Sequence, residues 1–193
     1  MAEHLPVPFF MAWNTLLALV PLALALGLFR RRARVDGALW WIGLAAFLVM
    51  LPNAPYVLTD VIHLVEDAHG GVLIRTAIAY AAFFTVGVLA YTVSVARLMG
   101  FLRGRGLPAP ARATVEVALH LVVAVGVLIG RFARFNSWDL GLRPDRVVLD
   151  SLGWASPRAV VAVVLLAGGL AVVTATLRCA ARGVRVGIAP STP

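Results

Sequence analysis

The chain has 193 residues, of which 61% are hydrophobic and 13% are charged, with a mean hydropathy of +0.92. Soluble domains are about 45–50% apolar and about 25% charged, so this composition excludes a soluble globular domain as well as a disordered chain. The net charge of +8 comes from 17 arginines against 9 acidic residues. Because the arginines flank apolar segments, we expect no nucleic-acid partner. A single cysteine, Cys179, excludes an internal disulfide and any paired-cysteine metal or redox motif.

Five apolar segments are long enough to cross a hydrocarbon core about 30 Å thick, which takes about 20 helical residues. In lipid each segment must be a helix, because every backbone amide needs a partner within the segment. We therefore predict an all-α polytopic membrane protein, with residues 1–193 forming a single integral membrane domain in the lipid bilayer. The predicted spans are 9–29, 38–65, 72–98, 113–132 and 158–177.

The arginines alternate between the two ends of the predicted bundle. Eleven follow the first span, surround the link between the third and fourth spans, or follow the fifth span, whereas six lie at the opposite end. Short loops rich in arginine stay in the cytoplasm. This asymmetry predicts a multi-pass protein with its N-terminus outside and its C-terminus in the cytoplasm.

The second span contains two prolines at membrane depth. A helix that starts near Gly37 reaches Leu51 after about 22 Å, so Pro52 and Pro55 interrupt it within the outer part of the bilayer. Backbone groups that a break frees at this depth must be buried in protein or line a wet cavity. We predict that the second span is broken at residues 52–55.

Polar side chains follow the prolines in a stripe. Asn53, Tyr56, Asp60, His63 and Asp67 are spaced 3, 4, 3 and 4 residues apart, which places them on one face of a helix. Charged groups at membrane depth normally face the interior of a helix bundle or water. We therefore expect this stripe to face the other helices.

A second polar segment follows the fourth span, after a GxxxG pattern at residues 126–130 that lets a neighbouring helix approach closely. Its polar side chains are Arg131, Arg134, Asn136 and Asp139. Arg131 and Arg134 emerge at the same outer level as Asp60 and Asp67, which predicts an ion-pair network between spans two and four. Asn14, near the outer end of the first span, either joins this cluster or makes a separate bond between helices.

The segments PNAPYVLTDVIHL and GRFARFNSWD resemble the two signature segments of a bacterial membrane family known as domain of unknown function 1361. The number of spans and the spacing of the motifs fit over most of the chain. The resemblance implies a polytopic membrane protein, which we place in the bacterial cytoplasmic (inner) membrane. It implies no activity, because the family has no established mechanism and no catalytic residues to carry over.

Three functions are compatible with the polar segments. In the leading hypothesis, an outward-facing cavity binds or passes a small polar or anionic ligand, with arginines holding the anion and with Asp60 and His63 tuning or relaying charge. The residues expected around this cavity are Asn53, Tyr56, Asp60, His63, Arg131, Arg134, Asn136 and Asp139. The alternatives are an outer-leaflet enzyme acting on a lipid-linked substrate and a structural subunit in which the cluster only fixes helix packing.

The stripe also raises the hypothesis of a transition-metal site. Asp60, His63 and Asp67 are three ligand-type side chains on one helical face, and Asp139 or Asn136 could complete a set of four. Carboxylates with imidazole suit zinc or manganese. The same residues would serve equally well in a network paired with arginine, so both interpretations stay open.

A further pair of titratable residues lies near the inner end of the fourth span. Glu116 and His120 are four residues apart, which is the spacing of neighbours on one helical face. They either satisfy each other between helices or shuttle a proton with Arg97 nearby.

Overall fold

The chain is helical throughout most of the part described by this computed structural model, which comprises residues 7–30, 35, 37–61, 73–133, 139–153 and 156–187. These residues contain no strand. The helices are α1 (Val7–Leu28), α2 (Ala38–Met50), α3 (Asn53–Tyr56), α4 (Leu73–Gly104), α5 (Ala109–Leu128), α6 (Asp139–Leu142), α7 (Pro144–Gly153) and α8 (Pro157–Gly187). A 3-10 helix, Val57–Asp60, follows α3, and a π-helix, Ile129–Ala133, extends α5.

Within the described residues, five helical segments are long and apolar enough to cross a membrane, which confirms the predicted bundle of five spans. They are Met11–Leu28, Ala38–Asp60, Ala77–Gly104, Ala109–Phe132 and Pro157–Gly183. Only 17% to 44% of each span is buried inside the protein. Most of the apolar surface therefore faces outward, as expected of helices that lipid surrounds.

The helices continue beyond the apolar segments that predicted them. Helix α4 ends at Gly104 instead of residue 98, and α8 ends at Gly187 instead of residue 177. The extra turns of α4 carry Arg103, whose side chain is exposed. Arginine tolerates a position near the end of a span because its apolar stem lies along the helix while its charged head reaches water.

The second span bends at its prolines without leaving the helical conformation, since residues 51 and 52 keep right-handed helical angles. A proline has no N–H, which interrupts the regular hydrogen bonds of an α-helix. The Ala54 N–H instead donates to the carbonyl of Leu51 at 3.2 Å. The side chain of Asn53 donates to the carbonyl of Met50 at 3.0 Å. The predicted break is therefore a bend that tightens into a 3-10 helix.

Two glycines make room for this bend between α4 and α5. A Cβ atom on Gly126 would lie 2.6 Å from Cγ of Pro52, and a Cβ atom on Gly87 would lie 2.6 Å from the carbonyl oxygen of Ala54. Real Cβ atoms essentially never approach another heavy atom this closely. Gly126 thus makes the close approach that the GxxxG pattern predicts, and its neighbour is the bent segment.

Helix α4 packs against α1 and α3 and also against α5 and α8. The main apolar cluster contains three aromatic rings from different elements, and the ring of Phe29 lies 5.0 Å from that of Phe47 and 5.6 Å from that of Phe101. Helices α5 and α8 also pack against each other. This arrangement brings polar residues of distant sequence position to the same level of the bundle.

We expect Gly87→Ala and Gly126→Ala each to lower the free energy of unfolding by about 1–3 kcal/mol. The added methyl group would overpack the space between α4, α5 and the bent segment, which we call the glycine slot. Gly168→Ala is the matched control, since a Cβ atom there meets nothing within 4 Å. Chemical unfolding in detergent micelles, followed by circular dichroism, measures the difference. An equal free energy of unfolding of all three variants would show that the bent segment can pack without the glycine slot.

Candidate functional site

The first polar cluster forms around Asp60, which ends the 3-10 helix and has an exposed fraction of 0%. The side-chain amide of Asn14 on α1 donates to Oδ2 of Asp60 at 3.3 Å. Nη1 of Arg131, in the π-helix after α5, lies 3.9 Å from Oδ1 of Asp60. Three separate elements therefore converge on one buried carboxylate. We refer to Asn14, Asp60 and Arg131 as the Asp60 cluster.

The geometry of the Asp60 cluster is that of an enclosed anion beside a partly accessible cation. An ionised carboxylate in an apolar interior is costly unless a charge and hydrogen bonds compensate it. Arg131 supplies the charge and Asn14 a hydrogen bond. A separation of 3.9 Å is too long for a hydrogen bond, and the Arg131 side chain is 24% exposed. The ion pair is therefore loose, with Asp60 enclosed and Arg131 within reach of another anion.

The π-helix gives Arg131 an unusual backbone setting. Such a segment inserts extra backbone into an α-helix, and π-bulges are frequent at functional sites. In this chain it occupies Ile129–Ala133, directly after α5. The segment holds Arg131 at the end of the fourth span, beside the bent end of the second span.

The structure describes three further residues of the predicted site. The side-chain amide of Asn53 donates to the carbonyl of Met50 at the bend of the second span. Tyr56 is half-buried against the main apolar cluster. Asp139 is the first residue of α6 and is half-buried. The predicted site residues His63, Asp67, Arg134 and Asn136 lie outside the described residues.

The metal hypothesis stays a prediction. Within the described residues there is no group of three or more His, Cys, Asp or Glu side chains that could hold a metal ion. The proposed ligand set consists of Asp60, His63 and Asp67, and only Asp60 belongs to the described part of the chain.

A second polar cluster joins α4, α5 and α8 and consists of Tyr91, Glu116, His120 and Arg178, which we call the His120 cluster. The hydroxyl of Tyr91 and Nδ1 of His120 share a hydrogen bond of 2.6 Å. Nε2 of His120 lies 3.7 Å from Oε1 of Glu116. Arg178 donates to both carboxylate oxygens of Glu116, with 3.3 Å between Nη1 and Oε2. Tyr91 and His120 are 2% and 3% exposed, so the chain of contacts begins deep in the bundle.

The sequence predicted the pairing of Glu116 with His120 but not its partners. The arginine in the cluster is Arg178 instead of Arg97, whose side chain is exposed. Arg178 follows the last predicted span and therefore resembles an ordinary flanking arginine. In the structure, the half-buried Arg178 continues a stripe of buried residues on α8 with helical spacing. The earlier members of that stripe are Ala167, Leu170 and Thr174.

The two clusters occupy opposite halves of the bundle. His120 and Arg131 are eleven residues apart along α5 and its extension, which corresponds to about 16 Å of helix. Between them α5 presents Val123 and Val127, whose exposed fractions are both 0%. An apolar layer therefore separates the Asp60 cluster from the His120 cluster.

Five apolar helices that turn their polar side chains toward one another define a multi-pass helical membrane protein. The chain belongs to the family described as Protein of unknown function (DUF1361), whose sequence profile matches residues 13–173. This match confirms the resemblance inferred from the two signature segments. It includes the whole Asp60 cluster, whereas Arg178 lies beyond it. No curated protein and no solved structure matches the chain significantly.

We expect Tyr91→Phe and His120→Asn to be coupled, because each removes one end of the same buried hydrogen bond. A double-mutant cycle should give an interaction energy of about 0.5–2 kcal/mol in the free energy of unfolding. Thr85→Val is the matched control, since Thr85 is exposed and donates to its own helix at Ala81. Its effect should add to that of Tyr91→Phe, and additivity of Tyr91→Phe with His120→Asn would contradict the bond.

Proposed function

We propose that this membrane protein binds, and passes, a small anionic or polar ligand at the Asp60 cluster. The observation that carries the proposal is the loose pair of Arg131 and Asp60, in which the carboxylate is enclosed and the guanidinium stays 24% exposed. Intramembrane charges are costly and mark ligand or ion pathways by default. A cation held beside the end of two spans is suited to receive an anion from outside.

The chemistry of the cluster favours reversible binding. A guanidinium has five N–H donors in a fixed plane and matches carboxylate or phosphate oxygens in pairs. With Asp60 ionised, the charge of Arg131 is already balanced, so a bound anion must compete with Asp60. Such competition weakens the binding and permits release. Asn14 holds Asp60 in place through its amide, which keeps the carboxylate from following Arg131.

The proposal extends to the remaining residues of the two polar segments. Asp139, at the start of α6, and Asn53 and Tyr56, near the bend, would complete the polar lining. His63, Arg134 and Asn136 would contribute a titratable group, a second cation and an amide. These roles rest on the sequence pattern together with the position of Asp60.

The binding test uses the purified chain in lipid nanodiscs and titrates inorganic phosphate, sulfate and acetate by isothermal calorimetry. We expect Arg131→Gln to weaken binding of the preferred anion at least about tenfold, because it removes a charge-assisted hydrogen bond. Asp60→Asn should strengthen binding, since the competing carboxylate is gone. The matched control is Arg158→Gln, which removes an exposed arginine at the start of α8.

The outcome separates a ligand site from a structural ion pair. Equal affinities of the unchanged chain and Arg131→Gln for every anion would overturn the proposal. The proposal would also be overturned if Arg158→Gln reduced the heat of anion binding as strongly as Arg131→Gln does. That result would indicate an effect of surface charge alone. A loss of folding in Arg131→Gln is checked by circular dichroism, and Arg131→Lys then provides the variant that keeps the charge but not the paired donors.

We also propose that the chain lies in the bacterial cytoplasmic membrane with its N-terminus outside, so that the Asp60 cluster faces outward. The exposed residues Arg97, Arg103 and Arg105 support this orientation, because they lie toward the end of α4 that is remote from Asp60. Loops rich in arginine favour the cytoplasmic side.

Labelling with a membrane-impermeant maleimide tests this orientation in intact cells. In a Cys179→Ala background, Ser156→Cys at the start of α8 should react from outside, whereas Ala109→Cys at the start of α5 should react only after permeabilisation. Both positions are exposed and lie at the beginnings of helices, so each serves as the control for the other. The reverse pattern would place the Asp60 cluster on the cytoplasmic side.

A further inference from the structure

A groove lies near the end of α4 that is remote from Asp60. It has a volume of about 200 Å³, and its lining includes Phe29, Arg97, Gly100, Phe101 and Arg105. We call it the Arg97 groove.

The floor of the Arg97 groove is open because α4 has glycines there. A Cβ atom added to Gly100 or Gly104 would meet nothing within 4 Å. The guanidinium carbon of Arg105 lies 4.9 Å from the ring centre of Phe101, which is the geometry of a cation–π contact. This contact places the Arg105 side chain against the apolar side of the groove.

Tryptophan marks the level of the groove in the membrane. The ring of Trp40 stacks on Phe101 with 5.8 Å between centroids and 30° between planes. The neighbouring Trp41 is 59% exposed. Tryptophan is enriched where the hydrocarbon core meets the lipid headgroups. The position of these two tryptophans indicates that the Arg97 groove lies near headgroup level.

We propose that the Arg97 groove is a binding site for the headgroup of an anionic phospholipid. Arg97 and Arg105 hold the phosphodiester, because guanidinium and phosphate oxygens match in charge and in geometry. The rings of Phe29 and Phe101 contact the apolar atoms next to it. Anionic lipids bind such basic recesses between spans through these two kinds of contact. This site is separate from the Asp60 cluster and does not depend on the ligand proposed there.

Native mass spectrometry of the full chain, titrated with phosphatidylglycerol or phosphatidylcholine, tests the site. We expect selective binding of phosphatidylglycerol. Arg97→Gln combined with Arg105→Gln should weaken it about 30-fold, since one arginine near an anionic surface contributes about 1 kcal/mol. Arg103→Gln is the matched control, because Arg103 is exposed on the same helix but does not line the groove.

A second pair of variants tests the shape of the groove without changing its charge. Gly100→Leu should weaken phosphatidylglycerol binding, because the new side chain fills the open floor. Gly168→Leu should leave binding unchanged, since Gly168 is an equally open helical glycine on α8 outside the groove. Circular dichroism of both variants confirms that each one is folded.

Three results would overturn the proposal. The first is equal binding of phosphatidylglycerol by the unchanged chain and the double arginine variant. The second is an equal loss of binding in Arg103→Gln, which indicates a diffuse charge effect. The third is competition by glycerol 3-phosphate as strong as that by intact lipid, because the groove would then recognise a free anion and not a lipid headgroup.

Discussion

A carboxylate enclosed in an apolar bundle is the constraint on which the outer half of this protein depends. Asp60 is fully buried, and an ionised carboxylate there is tolerated only with a nearby cation and hydrogen-bond donors. Arg131 and Asn14 provide them from two other spans. The relative positions of the first, second and fourth spans are thereby tied to one side chain. Removing Arg131 or Asn14 leaves the buried carboxylate less well compensated.

The bend of the second span, the glycine slot and the Asp60 cluster depend on one another. The 3-10 helix that ends at Asp60 follows the bend directly, and the bend is seated between Gly87 and Gly126. A side chain at either glycine would collide with the bent segment and displace the 3-10 helix together with Asp60. Backbone hydrogen bonds lost at Pro52 and Pro55 are partly replaced within the segment itself, through the amide of Asn53. The bend is consequently stable at a depth where water cannot satisfy the backbone.

Local patterns in the sequence account for much of this arrangement, but not for its pairings. The five spans follow from hydropathy, and the approach of Asp60 to Arg131 follows from a polar stripe and a matching level in the membrane. The pairing of Arg178 with Glu116 could not be predicted, because it depends on how α5 and α8 lie side by side. Hydropathy and helical spacing describe each helix alone and do not set that relationship. The Arg97 groove could not be predicted for the same reason, since its wall at Phe29 comes from the segment that follows α1.

The arginines of this chain consequently have different physical roles that composition alone does not separate. Arg131 and Arg178 each lie beside a carboxylate in the bundle, whereas Arg97 and Arg105 line the groove near the end of α4 that is remote from Asp60. An arginine beside a carboxylate in the bundle is held in place by that contact as well as by the membrane. Arg131 and Arg178 belong to opposite ends of the predicted topology, one to each end. Their removal from the count therefore leaves the difference between the two ends unchanged, and the inferred orientation rests on the other arginines.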